Sequence, residues 1–220
     1  MLERPSPNCE PRPEGTPIDI LVLHYTGMRT ADEALGRMCD PTAKVSAHYC
    51  IDEVGTITRL VPEDKCAWHA GVSSWRGFKN VNPRSIGIEL VNPGHEFGYA
   101  VFPEIQMTAL ILLSSAIVRR HHIPGRNVVG HSDIAPSRKQ DPGELFDWKR
   151  LANAGIGLWP RAGAKADPED VVMLMESYGY DIHEEGAIAA FQRHFRPERI
   201  DGVPDEETAQ LLAGLLEVAD

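Results

Sequence analysis

The stretch IDILVLH, residues 18–24, decides the architecture: it is an apolar, β-branched run that stops at an imidazole. A run of that length and composition predicts a buried strand. SIGIELVN (85–92) is its counterpart, with Glu89 set inside it and an Asn-Pro-Gly turn signal at its end. Between them, HYCIDEVGTITRLV (48–61) predicts a hairpin that turns near Asp52 to Gly55. NVVGH (127–131) is a further short apolar run ending on a histidine. Helices interleave with these strands. One is predicted at 30–38, with Thr30 as N-cap and Glu33 at the reciprocal position. The longest runs from Pro103 and Glu104 to about His122, with Met107, Leu110, Ile111, Ser114, Ile117 and Val118 on one face. A short one falls near 144–152. Strands alternating with helices predict an α/β layered domain with irregular loops gathered at one edge.

The stretch LWPRAGAKAD (158–167) reads as a linker. The expected organisation is an N-terminal extension (1–16), a main domain (17–158), the linker (159–167) and a small all-α domain (168–220). In the last, apolar stripes of Val171, Leu174, Met175 and Tyr178, then Ala187, Ile188, Phe191 and Phe195, then Leu211, Leu212 and Leu215 predict three short helices. Asp201-Gly202 turns the chain between the second and third. So small a unit has a thin core and is expected to lean on the main domain.

The 220 residues carry 22 basic and 32 acidic side chains, a net charge of -10. Such a chain is repelled by phosphate backbones, which excludes nucleic acid as a partner. The opening MLERPSPNCEPRPEG has no apolar core of the kind a leader peptide needs, and the longest apolar run, ALILL at 109–113, is too short to cross a bilayer. The reading is a cytoplasmic protein with no membrane partner, or a periplasmic one if a leader has been removed. The four cysteines, Cys9, Cys39, Cys50 and Cys66, have no paired spacing and read as free thiols.

Of nine histidines, His95, His121, His122, His183 and His194 fall in turns, helix ends or the C-terminal unit and are read as structural. His24 and His131 differ, because each ends a strand-like run where loops form a cleft. SDIAPSRKQDPG follows His131 and is read as a non-helical loop offering Asp133, Lys139 and Asp141. Two histidines and a carboxylate form a usual three-ligand set for catalytic zinc. On their own they read first as satisfied structural side chains, with a zinc site the lesser alternative. Lys139 and Asp141 lie two apart, so in extended backbone both face one way, and a cation there can hold an oxyanion. Glu89 has two readings: a strand carboxylate facing solvent or an arginine, or a general base beside the metal.

Four ordered segments, LVLHYTG, VSAHYCIDEVGTITRLVPEDKCAWHAGVSSW, SIGIELVN and GHSDIAPSRKQDPG, resemble the type-2 zinc N-acetylmuramoyl-L-alanine amidases, relatives of the peptidoglycan recognition proteins. The resemblance covers about residues 18–150. It implies a mixed central sheet flanked by helices and a bound Zn2+ held by His24, His131 and Asp141. It implies Glu89 as catalytic carboxylate and Lys139 as the transition-state lysine. Phage-type relatives can carry a Tyr where this chain has Ala47 and lack the strand Glu, so the chain resembles the carboxylate-using branch. Trp68, His69 and Ala70 resemble cleft-wall residues, Tyr25 and Arg84 are candidate stem-peptide contacts, and His48 fits a structural or a functional role. The C-terminal GlyTyr, PheGln and AspGly landmarks resemble a three-helix peptidoglycan-binding module, departing from it at Asp205. The expected activity is hydrolysis of the lactyl–L-alanine amide in peptidoglycan or anhydro-muropeptide fragments, in cell-wall recycling. Two rivals remain: a catalytically silent peptidoglycan receptor, and a lytic amidase acting on intact wall.

Overall fold

The computed structural model describes residues 1–219. In chain order its strands are β1 (Leu2–Glu3), β2 (Cys9–Pro11), β3 (Ile20–Tyr25), β4 (Tyr49–Ile51), β5 (Ile57–Arg59), β6 (Lys65–Ala67), β7 (Ser74–Trp75), β8 (Phe78–Lys79), β9 (Ser85–Leu90) and β10 (Val128–Gly130). The helices are α1 (Ala31–Cys39), α2 (Gly94–Phe97), α3 (Glu104–His121), α4 (His131–Ile134), α5 (Trp148–Asn153), α6 (Val171–Tyr178), α7 (Ala187–Phe195) and α8 (Glu206–Leu216). Six strands form a mixed sheet in the order β1-β5-β4-β9-β3-β10, antiparallel only between β4 and β5. Two ribbons, β2 with β6 and β7 with β8, lie apart from it.

Strand alternation sorts the core onto two faces. Leu21 and Leu23 of β3 join Ile86, Ile88 and Leu90 of β9 under α3 and α5. Ile20 and Val22 point the other way, into a cluster with Trp75, Val129, Ile134 and the apolar faces of α6, α7 and α8. The C-terminal helices therefore share a core with the sheet instead of closing one of their own. Among the described residues no helix is long and apolar enough to cross a membrane, and all four cysteines are free.

The local signals mostly operate as their chemistry dictates. Thr30 accepts from the Glu33 N–H at 3.2 Å, though Glu33 reaches back to the Arg29 N–H, one residue beyond the expected partner. Asp52 accepts from the Val54 and Thr56 N–H groups and so shapes the β4–β5 turn, with Gly55 at φ +80°. Two expectations need correction. Pro103 is the N-cap of α3 and lies outside the helix. The Asn-Pro-Gly turn continues into a short helix, α2. Within the N-terminal extension, β1 pairs with β5 and completes one edge of the sheet.

Candidate active site

The site grows from the strand register. His24 pairs with Glu89 across β3 and β9, and in a parallel pair such neighbours present their side chains to the same face. Gly130 pairs with Leu23, so the next residue of that strand, His131, emerges beside His24. The chain after β10 was expected to be non-helical, yet residues 131–134 form the turn of helix α4. The Asp133 carboxylate accepts from the Gly130 N–H at 2.7 Å and closes that turn. Beyond it the loop returns Asp141 to the two histidines.

His24 Nδ1, His131 Nδ1 and Asp141 Oδ2 converge at 3.0, 3.1 and 3.1 Å from one another. All three residues are buried and form a group able to hold a metal ion. Hydrogen-bond directions on the far side of each ring fix what these atoms are. His131 Nε2 lies 3.1 Å from the Ala70 carbonyl and donates to it, so that in the neutral ring Nδ1 is a bare lone pair. For His24 the direction is set three links away. Ser85 donates its hydroxyl to the Val81 carbonyl at 2.9 Å and so accepts from His69 Nε2 at 3.2 Å. His69 Nδ1 then accepts from His24 Nε2 at 3.1 Å, and His24 Nδ1 is bare as well. Burial, with His131 next, lowers His24 to a pKa of about 4, so it is neutral at pH 7. On these assignments three acceptors face one another, an arrangement able to hold a cation. Their spacing is close to the roughly 3.3 Å edge of a tetrahedron with bonds near 2.0 Å, which suits a His-His-Asp ligand set.

Glu89 stands beside this trio. Burial first, and Asp141 second, raise its carboxyl well above the usual 4.5, while Lys139 pulls it down. Its Oε2 is buried without a hydrogen-bond partner. That atom has neither the solvent contact nor the arginine of the structural reading.

A cleft of about 420 Å³ opens over these groups, lined by Tyr25, His69, Glu89, His131, Lys139 and Asp141 among others. Of the expected substrate contacts, Tyr25 and His69 reach it. Ala70 acts through its carbonyl, which accepts from both His131 and Arg138. Trp68 is half-buried and lies outside that lining. Arg84 is not at the cleft: it sits by the opposite end of β9, paired with Asp19 and stacked over Phe78. Its place just before the strand, five residues from Glu89, puts the length of β9 between them. His48 is buried, with Nδ1 accepting from the Gly87 N–H in the sheet, which is a structural role.

Several residues at the site escaped the sequence reading. His95 lines the cleft and hydrogen bonds with the Tyr25 hydroxyl and Glu144. Arg138 donates to the carbonyls of Ala70 and Val72, pinning two loops together. Gly87 is fixed by contact, since a Cβ there would lie 2.5 Å from the His69 ring. The signal for His69 was present in β9, where small residues at 85 and 87 alternate with core positions and leave room for a ring.

The chain belongs to the N-acetylmuramoyl-L-alanine amidase family, whose model matches residues 14–144. Its fold and site define an amidase, built around a group able to hold a metal. Within that class it is similar to the N-acetylmuramoyl-L-alanine amidase AmiD of Escherichia coli, at 42% identity over 91% of this chain and 83% of that protein. The structure of AmiD with anhydro-N-acetylmuramic acid-L-Ala-D-γ-Glu-L-Lys superposes with a TM-score of 0.84 at 39% identity, covering 94% and 93% of the two chains. AmpDh3 of Pseudomonas aeruginosa, solved with an anhydromuramic pentapeptide, gives 0.84 at 35% identity over 95% of each chain. The 1,6-anhydro-N-acetylmuramyl-L-alanine amidase AmpD of Citrobacter freundii is 36% identical over 67% of this chain and 86% of its own.

Proposed function

We propose that this protein is a zinc-dependent amidase that cleaves the lactyl–L-alanine amide of muropeptides bearing a 1,6-anhydro sugar. The observation that carries the reading is the trio of converging lone pairs from His24, His131 and Asp141, beside a Glu89 oxygen with no partner. His24, His131 and Asp141 would hold the zinc, which when bound would polarise the scissile carbonyl and activate a water. Glu89 takes the proton of the attacking water on its carboxylate and delivers it to the departing alanine nitrogen. Lys139 lends its ammonium to the oxyanion. Arg37, Arg138 and Lys139 line the cleft together with Glu89, Glu96 and Asp141, and they are the cations available there to the carboxylates of a stem peptide.

The rival of a silent receptor has no support in this site, because every ligand position and the general base are filled. For the helical unit we propose that it binds wall polymer, with a groove of about 290 Å³ lined by Val172, Ile182, Ala187 and Gly202 as the candidate surface. Mass spectrometry of a defined anhydro-muropeptide, incubated with metal-analysed protein, tests the main reading. Release of an intact stem peptide beginning at L-alanine, lost with a chelator and regained with zinc, is expected. Binding without release from zinc-loaded protein would leave the receptor reading standing. Comparing turnover on soluble fragments and insoluble sacculi decides between recycling and lysis.

A further inference from the structure

Three residues of the site, His131, Lys139 and Asp141, lie on one segment of eleven residues, and the sheet anchors only its first end. Arg138 ties it to the Ala70 and Val72 carbonyls, and a further grip comes from the helical unit. Asp133 is 1% exposed and sits two residues after His131. One carboxylate oxygen accepts from the Gly130 N–H and contacts His194 Nδ1, each at 2.7 Å. The other accepts the Tyr180 hydroxyl, also at 2.7 Å. Gly130 belongs to the sheet, whereas Tyr180 follows α6 and His194 lies on α7. The His194 ring is itself stacked on Trp148 at 3.7 Å, and Tyr180 packs edge-on against Trp75. Further along the same segment, the Ser137 hydroxyl donates to Glu184 at 2.6 Å. The family match ends at residue 144, so every one of these partners from the helical unit lies outside it.

We infer that the helical unit positions the catalytic segment, with Asp133 as the bolt between them and Tyr180 and His194 as its positioning residues. A buried carboxylate with three partners has one orientation, and that orientation fixes the helical turn from which His131 projects. The role needs no wall polymer, so it acts on small soluble substrates as much as on sacculi. It rests on the reading that His24, His131 and Asp141 hold zinc.

The test uses the full chain with Tyr180→Phe, which keeps the ring packed on Trp75 and removes one hydrogen bond, and with Asp133→Ala and Asp133→Asn. Zinc affinity is measured by competition with a chromophoric chelator, ligand geometry by the visible spectrum of cobalt-loaded protein, and turnover on a soluble anhydro-muropeptide. Tyr180→Phe is expected to weaken zinc about 3- to 10-fold, to shift the cobalt spectrum, and to lower kcat with KM unchanged. Asp133→Ala is expected to lose more than Tyr180→Phe, and Asp133→Asn to recover part of that loss. Pelleting with sacculi should be unchanged in Tyr180→Phe. If the wild type holds zinc and Tyr180→Phe has the same affinity and cobalt spectrum, the inference is overturned and the zinc reading stands. If the wild type takes up no zinc, both fall.

Discussion

In the proposed mechanism Glu89 is a side chain that serves chemistry at the expense of stability. Glu89→Gln should keep zinc and lose turnover by about 10²–10⁴, measured as kcat on a soluble fragment. Retained activity would take the proton transfer away from this residue. The same substitution has a second consequence in metal-free protein. The folded carboxyl is raised above its ordinary 4.5, so folding favours the protonated form. Its contribution to stability is full below pH 4.5 and is lost as pH rises through the folded value. Metal-free Glu89→Gln should therefore melt higher than metal-free wild type at pH 7, with the difference vanishing toward pH 4. Ser85 acts at two removes. Ser85→Ala deprives His69 of its acceptor and releases the His24 tautomer, and should weaken zinc about 10-fold without touching the cleft. His24, His131 and Glu89 were legible because each is a polar residue ending or interrupting an apolar strand, whereas Asp141 lies on a loop and was singled out only by the family resemblance. The lock on His24 was not, because it depends on hydrogen-bond direction through a serine 16 residues from His69.

At the scale of elements, periodicity and caps located β3, β9, α1, α3 and the three C-terminal helices, whose signals are local. What escaped was α4, since four residues are too few to show a helical period and its closing bond runs backward from Asp133 to Gly130. The smallest strands, β1 and β7 among them, are two residues long and owe their form to their partners. Asp205, where the sequence departs from the module it resembles, has a plain structural use. It caps α8 by accepting from the Thr208 N–H at 2.9 Å and pairs with the buried Arg196 at 2.7 Å. Asp205→Ala should lower stability by about 1–2 kcal/mol, read from urea unfolding midpoints. No change would mean that neither cap nor ion pair matters to the fold.

At the scale of the whole molecule, the sequence divides cleanly at its linker while the core does not. Composition reveals a boundary in the chain, but which face of a sheet a distant helix covers is a tertiary fact with no local signature. Removing the helices would expose Ile20, Val22, Val129 and Ile134, now buried against α6, α7 and α8. A fragment of residues 1–158 should aggregate or bind a hydrophobic dye and melt well below the full chain. A monomeric fragment with an unaltered melting temperature would show that the shared core contributes little. The metal-holding trio unites residues 107 and 117 positions apart. During synthesis, then, no nascent chain has the site before Asp141 leaves the ribosome, and its segment is not bolted in place until His194 has followed. On the zinc reading, a chain stalled between His131 and Asp141 would hold both histidines without the power to cut.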